Sequence, residues 1–158
     1  HHLYDLSVVC LRLFTVFGPR QRPDLAINKF VRLLFAGETL PLYGDGSSTR
    51  DYTYVADVVS AVRKAMKTDL GFEIMNIGSG HPISLLQLVE LLEKATGQTA
   101  DVEHLPEQPG DVPDTFADTR RARELLGWEP QVDIQQGLNN FVHWFKQQPQ
   151  FDTASGSH

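Results

Sequence analysis

The sequence predicts an α/β fold, on three observations. Two apolar runs, Ser7–Val16 and Phe72–Ile77, are rich in β-formers and hydrophobic on both faces, as strands of a covered parallel sheet are. Segments with apolar residues at helical spacing follow them, bounded by caps or glycines. The two kinds of segment alternate along the chain, the pattern of a mixed α/β domain.

Each element follows from its residues. Gly18-Pro19 ends the first strand, and Arg20–Pro23 forms a polar loop. Asp24 is placed to cap a helix that buries Ile27, Phe30, Val31 and Leu34 and stops at Gly37. Leu40–Tyr43 reads as a short strand, Asp45-Gly46 as a turn, and Asp51–Tyr54 as extended chain. A helix over 57–67 turns Val58, Ala61, Val62, Ala65 and Met66 inward. After the Phe72–Ile77 strand, Ser84 and Gln87 form a capping box. The helix they open has a Leu85, Leu88, Val89 and Leu92 stripe and ends at Gly97. Val102–Leu105 is a short strand, and a Pro/Gly-rich loop follows over 107–113. A helix over 119–126 ends at Gly127. Asp133 and Gln136 open the last helix, with Ile134, Leu138, Phe141, Val142 and Phe145 on one face and Pro149 as its stop. Trp128 and Trp144 read as packing residues. Residues 1–148 are expected to form one domain and 149–158 a disordered tail, with Gly156-Ser157-His158 set aside as a tag remnant.

Composition excludes several function classes. A net charge of −6 at pH 7 argues against nonspecific nucleic-acid binding. Cys10 is the sole cysteine, so no internal disulfide forms, and its apolar surroundings predict a buried reduced thiol. The longest apolar stretch, 6–17, is too short for a membrane span and has no signal-peptide flanks, so a cytoplasmic address is expected. His1, His2, His81, His104 and His143 lack metal-ligand spacing, so no metal site is expected.

Three loops carry residues suited to an anionic ligand. Thr15 and Arg22 flank the carboxyl end of the first strand, where open α/β sheets place ligands. Arg22 offers a fork for carboxylate or phosphate, and the alternative is a solvated basic loop. Arg50 follows the flexible Gly44–Ser48 turn and is a planar, permanently charged donor. Its alternative is a surface ion pair with Asp45 or Asp51, and Asp51 reads as a brace for the turn. The 107–112 loop holds Gln108 and Asp111, with a plain Pro-Gly turn as the alternative. Redox machinery is missing. Gly78-Ser79-Gly80 lacks the third glycine of a dinucleotide loop and reads as a helix-entry turn. A Tyr-x-x-x-Lys pair is absent: Tyr4 is followed by Val8 and Tyr52 by Ala56 at the required spacing. No catalytic residue is therefore assigned.

The run Leu40-Pro41-Leu42-Tyr43-Gly44-Asp45-Gly46-Ser47-Ser48-Thr49-Arg50-Asp51-Tyr52-Thr53-Tyr54-Val55-Ala56-Asp57-Val58, with Thr15–Asp24 and Glu107–Val112, resembles the extended short-chain dehydrogenase/reductase family of NAD-dependent epimerases and dehydratases. The resemblance runs from His1 to about Gln148 and covers the carboxy-terminal, substrate-binding portion. It implies the last strands of a Rossmann-like sheet, with the amino-terminal NAD-binding part absent. The closest subgroup is UDP-glucuronate 4-epimerase. There the residues matching Thr15 and Arg22 meet the sugar carboxylate, Arg50 the diphosphate, and Asp111 the ribose hydroxyls. Gln108 stands where many UDP-galactose epimerases carry arginine. Asn28 and Lys29 would approach the uracil or the phosphates, or else lie on an exposed helix face.

The resemblance thus implies a UDP-sugar-binding part of an NAD-dependent epimerase, catalytically silent alone. This chain would bind no cofactor itself and would need an amino-terminal NAD-binding partner. A free-standing UDP-sugar-binding module, a structural or assembly protein, and a dTDP-sugar 4,6-dehydratase fragment stay open beside it. Strands without their sheet neighbours would expose apolar faces and edges, so a homodimer is expected. Neither nucleic acid nor membrane is expected as a partner.

Overall fold

A computed structural model describes residues 1–107 and 110–149. In chain order the elements are β1 (Val8–Leu13), β2 (Thr15–Phe17), α1 (Ala26–Ala36), β3 (Leu40–Tyr43), β4 (Thr49–Arg50), β5 (Tyr52–Tyr54), α2 (Val55–Ala65), β6 (Phe72–Ile77), β7 (Ile83–Ser84), α3 (Leu85–Thr96), β8 (Val102–Leu105), α4 (Arg120–Leu126) and α5 (Ile134–Lys146). The α/β class predicted from the sequence is the class observed.

The strands associate in pairs. β1 runs parallel to β6, β2 to β5 and β3 to β8, while β4 and β7 are antiparallel. The single strand expected over 7–16 is two. Phe14 donates its N–H to the Ile77 carbonyl at 3.2 Å, and Thr15 donates to the Asp51 carbonyl at 3.1 Å. The backbone therefore changes partner between these residues, from β6 to the β4–β5 segment. This exchange sets Thr15 opposite Tyr52.

The starts of α3 and α5 follow local chemistry, and those of α1 and α2 depart from it. Ser84 and Gln87 make both halves of a capping box, with Ser84 Oγ accepting at 3.1 Å and Gln87 Oε1 accepting at 2.9 Å. Asp133 accepts from Gln136 N–H at 2.8 Å and opens α5. Asp24 does not cap α1. The helix starts after Leu25 without a side-chain cap, because the Asp24 carboxylate is taken by Arg22 at 3.0 Å. Likewise α2 starts at Val55, two residues earlier than expected, and the Asp57 carboxylate accepts Val132 N–H at 3.1 Å.

Two apolar clusters hold the elements together. The larger joins α1, α3 and α5 to β3 and β5 through Ile27, Val31, Leu42, Leu88, Leu92 and Phe141, all buried. The smaller packs α2 and α4 on β6 through Val58, Ala61, Met75, Ile77, Ala122 and Trp128. The Trp128 Nε1–H donates to the Asp57 carbonyl at 3.0 Å and to Ser60 Oγ at 2.9 Å, so the buried indole is satisfied.

The β1–β6 pair shows the exposed apolar face expected of strands without sheet neighbours, and Cys10 departs from expectation. One face carries Val9, Leu11 and Met75 against α2 and α4. The other leaves Cys10 exposed, with Phe72 at 51% and Ile74 at 46% exposure. Cys10 is thus not a buried thiol, because none of the described elements covers its face. On the other side of the pair the outer flank of α2 is exposed too, with Val62 at 40% and Met66 at 81% exposure rather than inward. The tail expected over 149–158 falls outside the described residues beyond Pro149. No helix among the described residues is long and apolar enough to cross a membrane.

Candidate functional site

Arg50 closes β4, where Thr49 faces Ser84 and Arg50 faces Ile83. The segment after the 107–112 loop lies along the other side of β4. Thr49 N–H donates to the Pro113 carbonyl at 2.9 Å, and Thr115 N–H donates back to the Thr49 carbonyl at 3.1 Å. Thr49 Oγ1 donates to Asp114 at 2.6 Å. These bonds bring the loop's residues to Arg50. Its Nη2 meets Asp111 Oδ1 at 2.6 Å, while Nη1 donates to the carbonyls of Thr49 at 2.9 Å and Pro113 at 3.1 Å. The Arg50 side chain is 21% exposed and Asp111 59%. Arg50 is therefore held by neither Asp45 nor Asp51, the partners weighed from the sequence. It pairs with another candidate ligand residue.

A cleft of ≈ 250 Å³ opens beside this pair, with Tyr43, Asp45, Ser47, Glu107, Asp111 and Pro113 in its wall. Its floor is the Gly44–Ser48 turn. Gly46 has φ of 78°, and a Cβ there would stand 2.7 Å from Leu86 Cγ, so the turn needs glycine at that point. Asp45 Oδ1 accepts Ser47 N–H at 2.8 Å, and hydrogen bonding from Ser47, its side chain first and then its backbone, holds the Asp45 carboxyl below its usual value. Tyr43 was not singled out from the sequence. Its last place in a strand, before a glycine turn, was the available signal.

Asp51, next to Arg50, is fully buried. Its Oδ1 accepts Ser79 N–H at 2.6 Å and Ser79 Oγ–H at 2.8 Å. Its Oδ2 accepts the N–H groups of Gly80 and Ala117, both at 3.0 Å. The braced turn is therefore Gly78–Ser79–Gly80 and not the Gly44–Ser48 turn. A Cβ on Gly78 would stand 2.1 Å from Ala117 Cβ, so only glycine permits this approach. The same bonds bear on NAD. The N–H groups that a pyrophosphate would use are committed to a carboxylate, which would repel a second anion. This turn does not fit the cofactor, and no step is derived through it.

Thr15 is half-buried beside Tyr52 and joins Asp51 through its N–H. Tyr52 is buried, and that burial pushes its phenol up to about 12 despite the opposing Arg50 charge. Arg22 is not drawn to the pair: it is 73% exposed and bound to Asp24. Asn28 is 2% exposed, so it does not lie on an exposed helix face. Its Nδ2 donates to the Gln21 carbonyl at 2.6 Å and its Oδ1 accepts Arg32 Nε–H at 2.9 Å, so its amide braces the loop before α1. Lys29 is half-buried on the same helix. Gln108 lies outside the described residues. Among the described residues, no group of three His, Cys, Asp or Glu could hold a metal ion.

Comparison with known proteins gives a consistent result. The sequence family described as GDP-mannose 4,6 dehydratase matches residues 1–141. A UDP-glucuronate 4-epimerase of Thermodesulfobacterium geofontis is 40% identical over 148 residues, which are 93% of this chain and 46% of that protein. An uncharacterized protein of Methanocaldococcus jannaschii is 41% identical over 145 residues, covering 92% of this chain and 44% of that one. Among solved structures, a UDP-glucuronic acid 4-epimerase from Bacillus cereus, in complex with UDP-glucuronic acid and NAD, superimposes with a TM-score of 0.88 at 36% identity. That match covers 93% of this chain and 48% of the other. The UDP-glucose 4-epimerase of Thermotoga maritima, with UDP-glucose, gives a TM-score of 0.88 at 37% identity and covers 92% and 48%. The chain spans about half the length of the relatives it matches.

Proposed function

This chain belongs to the family described as GDP-mannose 4,6 dehydratase, within the extended short-chain dehydrogenase/reductases, and from that premise we propose that it is the substrate-holding part of a UDP-glucuronate 4-epimerase. The observation that carries the reading is the Arg50–Asp111 pair beside the Tyr43 cleft. A UDP-sugar presents a dianionic diphosphate between a ribose and a sugar. Arg50 supplies a charged planar donor for the diphosphate. Asp111 supplies an acceptor for vicinal ribose hydroxyls, and the Tyr43 ring offers a face for the base. Diphosphate binding exchanges one anionic partner of Arg50 for another and frees the more exposed Asp111 carboxylate for the ribose.

Thr15, on the strand that joins both halves of the fold, faces the sugar. Arg22, free to swing from its exposed pair with Asp24, closes on the sugar carboxylate. Lys29 flanks the phosphates, and Gln108 is a candidate hydrogen-bond partner for the ligand. Asn28 acts through the loop it braces. NAD and the tyrosine–lysine acid–base pair belong to an amino-terminal half, which docks on the bare β1–β6 face. Without that half the chain binds substrate and turns none over.

Calorimetric titration tests this. Micromolar binding of UDP-glucuronate and UDP without NAD is expected, with no epimerisation. Epimerisation is expected once an amino-terminal half and NAD are added. Absence of binding by both ligands would overturn the reading in favour of an assembly role.

A further inference from the structure

Asp51 is used more completely than any other polar residue near the site. Its N–H donates to Thr115 Oγ1 at 3.0 Å and its carbonyl accepts Thr15 N–H at 3.1 Å. Its two carboxylate oxygens accept four donors from Ser79, Gly80 and Ala117. Among the described residues no cation pairs with it. A buried carboxylate met only by N–H and O–H dipoles is held through geometry, and every donor it loses leaves a polar group unsatisfied.

These bonds link the strand end that carries Arg50 to Thr15, to the 79–80 turn and to the segment that follows Asp111. Thr15 is tied at the backbone. The 113–117 segment is tied twice, through Thr115 Oγ1 and Ala117 N–H. That same segment supplies the Pro113 carbonyl to Arg50 Nη1 and is preceded by Asp111, which holds Nη2. Asp51 therefore fixes both the strand that bears Arg50 and the acceptors that aim its guanidinium. We propose that Asp51 is the positioning residue of the anion site, setting the direction of the Arg50 guanidinium without touching the ligand. The proposal deepens the UDP-sugar reading, and rests on it only for its ligand readout.

Asp51→Asn keeps the shape but turns one acceptor oxygen into a donor aimed at N–H groups. Two readouts are taken on the whole chain, the nitrogen–proton NMR signals of the Arg50 guanidinium and the affinity for UDP. The guanidinium signals are assigned by their loss in Arg50→Lys. Asp51→Asn is expected to broaden or shift those signals and to weaken UDP binding about tenfold. Val142→Ala, a core change in the larger cluster, lowers the melting temperature and should move neither. Should Asp51→Asn fail to fold, Ser79→Ala removes one of the four bonds and is read the same way, with a smaller effect. Unchanged Arg50 signals and unchanged UDP affinity in a folded variant would overturn the proposal and leave Asp51 a purely structural brace. If Arg50→Ala binds UDP as tightly as the parent chain, the ligand reading falls alone, and the NMR response still decides the role of Asp51.

Discussion

Arg50 and Asp111 meet across 61 positions of sequence, and their pairing makes separate predictions for separate ligands. Pyrophosphate has no ribose. Asp111→Asn should therefore weaken UDP binding about threefold to tenfold, the loss of a hydrogen-bonding partner, and should not weaken pyrophosphate binding. Titration with both ligands checks this, and equal weakening would mean that Asp111 serves to hold Arg50. Tyr52 makes a pH prediction. Its phenol titrates near 10 in the unfolded chain and about 12 in the folded one, chiefly through burial. Protonation is thus favoured by folding, so the contribution is intact below pH 10 and is lost as pH rises towards 12. The loss amounts to about 3 kcal/mol. Denaturant midpoints at neutral and alkaline pH should converge more in Tyr52→Phe than in the parent. A parallel fall in both chains would contradict the assignment. At this scale the sequence was partly legible. An arginine after a glycine turn marked Arg50, and family motifs marked Asp111. Their mutual contact could not be read, since it depends on the 113–115 segment joining β4.

Among the elements, α3 was the most legible because its signals are local. Ser84, Gln87 and Gly97 sit at fixed offsets from an apolar stripe, and the helix follows them. Ser84→Ala should destabilise the chain by about 1 kcal/mol, measurable as a lower denaturant midpoint with an unchanged slope. A change below a few tenths would show that α3 is held by packing alone. Elements set by distant partners were less legible. Nothing in the apolar run 7–16 shows that its pairing passes from β6 to β5 after Phe14. Asp24 has the composition of a cap, yet Arg22 two residues earlier competes for its carboxylate. Asp51 was expected to brace a turn, and it braces a different one, because the Ser79 and Gly80 donors lie 28 and 29 positions away.

The whole molecule leaves apolar side chains exposed in two places. Cys10, Phe72 and Ile74 lie on one face of β1–β6, and Val62 and Met66 lie on the flank of α2, which packs against the other face. Apolar side chains beside unpaired strand edges favour association. The isolated chain is expected to self-associate through the Cys10 face of β1–β6, and Ile74→Lys should shift light scattering towards the monomer without altering UDP affinity. A parent chain that stays monomeric at high concentration would contradict this. The exposed face was legible as strands lacking their sheet neighbours, whereas Cys10 was expected to be buried because a two-sided apolar run reads as covered. The proposed function requires Arg50 to anchor the diphosphate. Titration of UDP-glucuronate into the parent chain and Arg50→Ala, without NAD, tests that most directly. Clear binding by the parent and its loss by at least tenfold in the variant are predicted, whereas equal affinities would contradict the account.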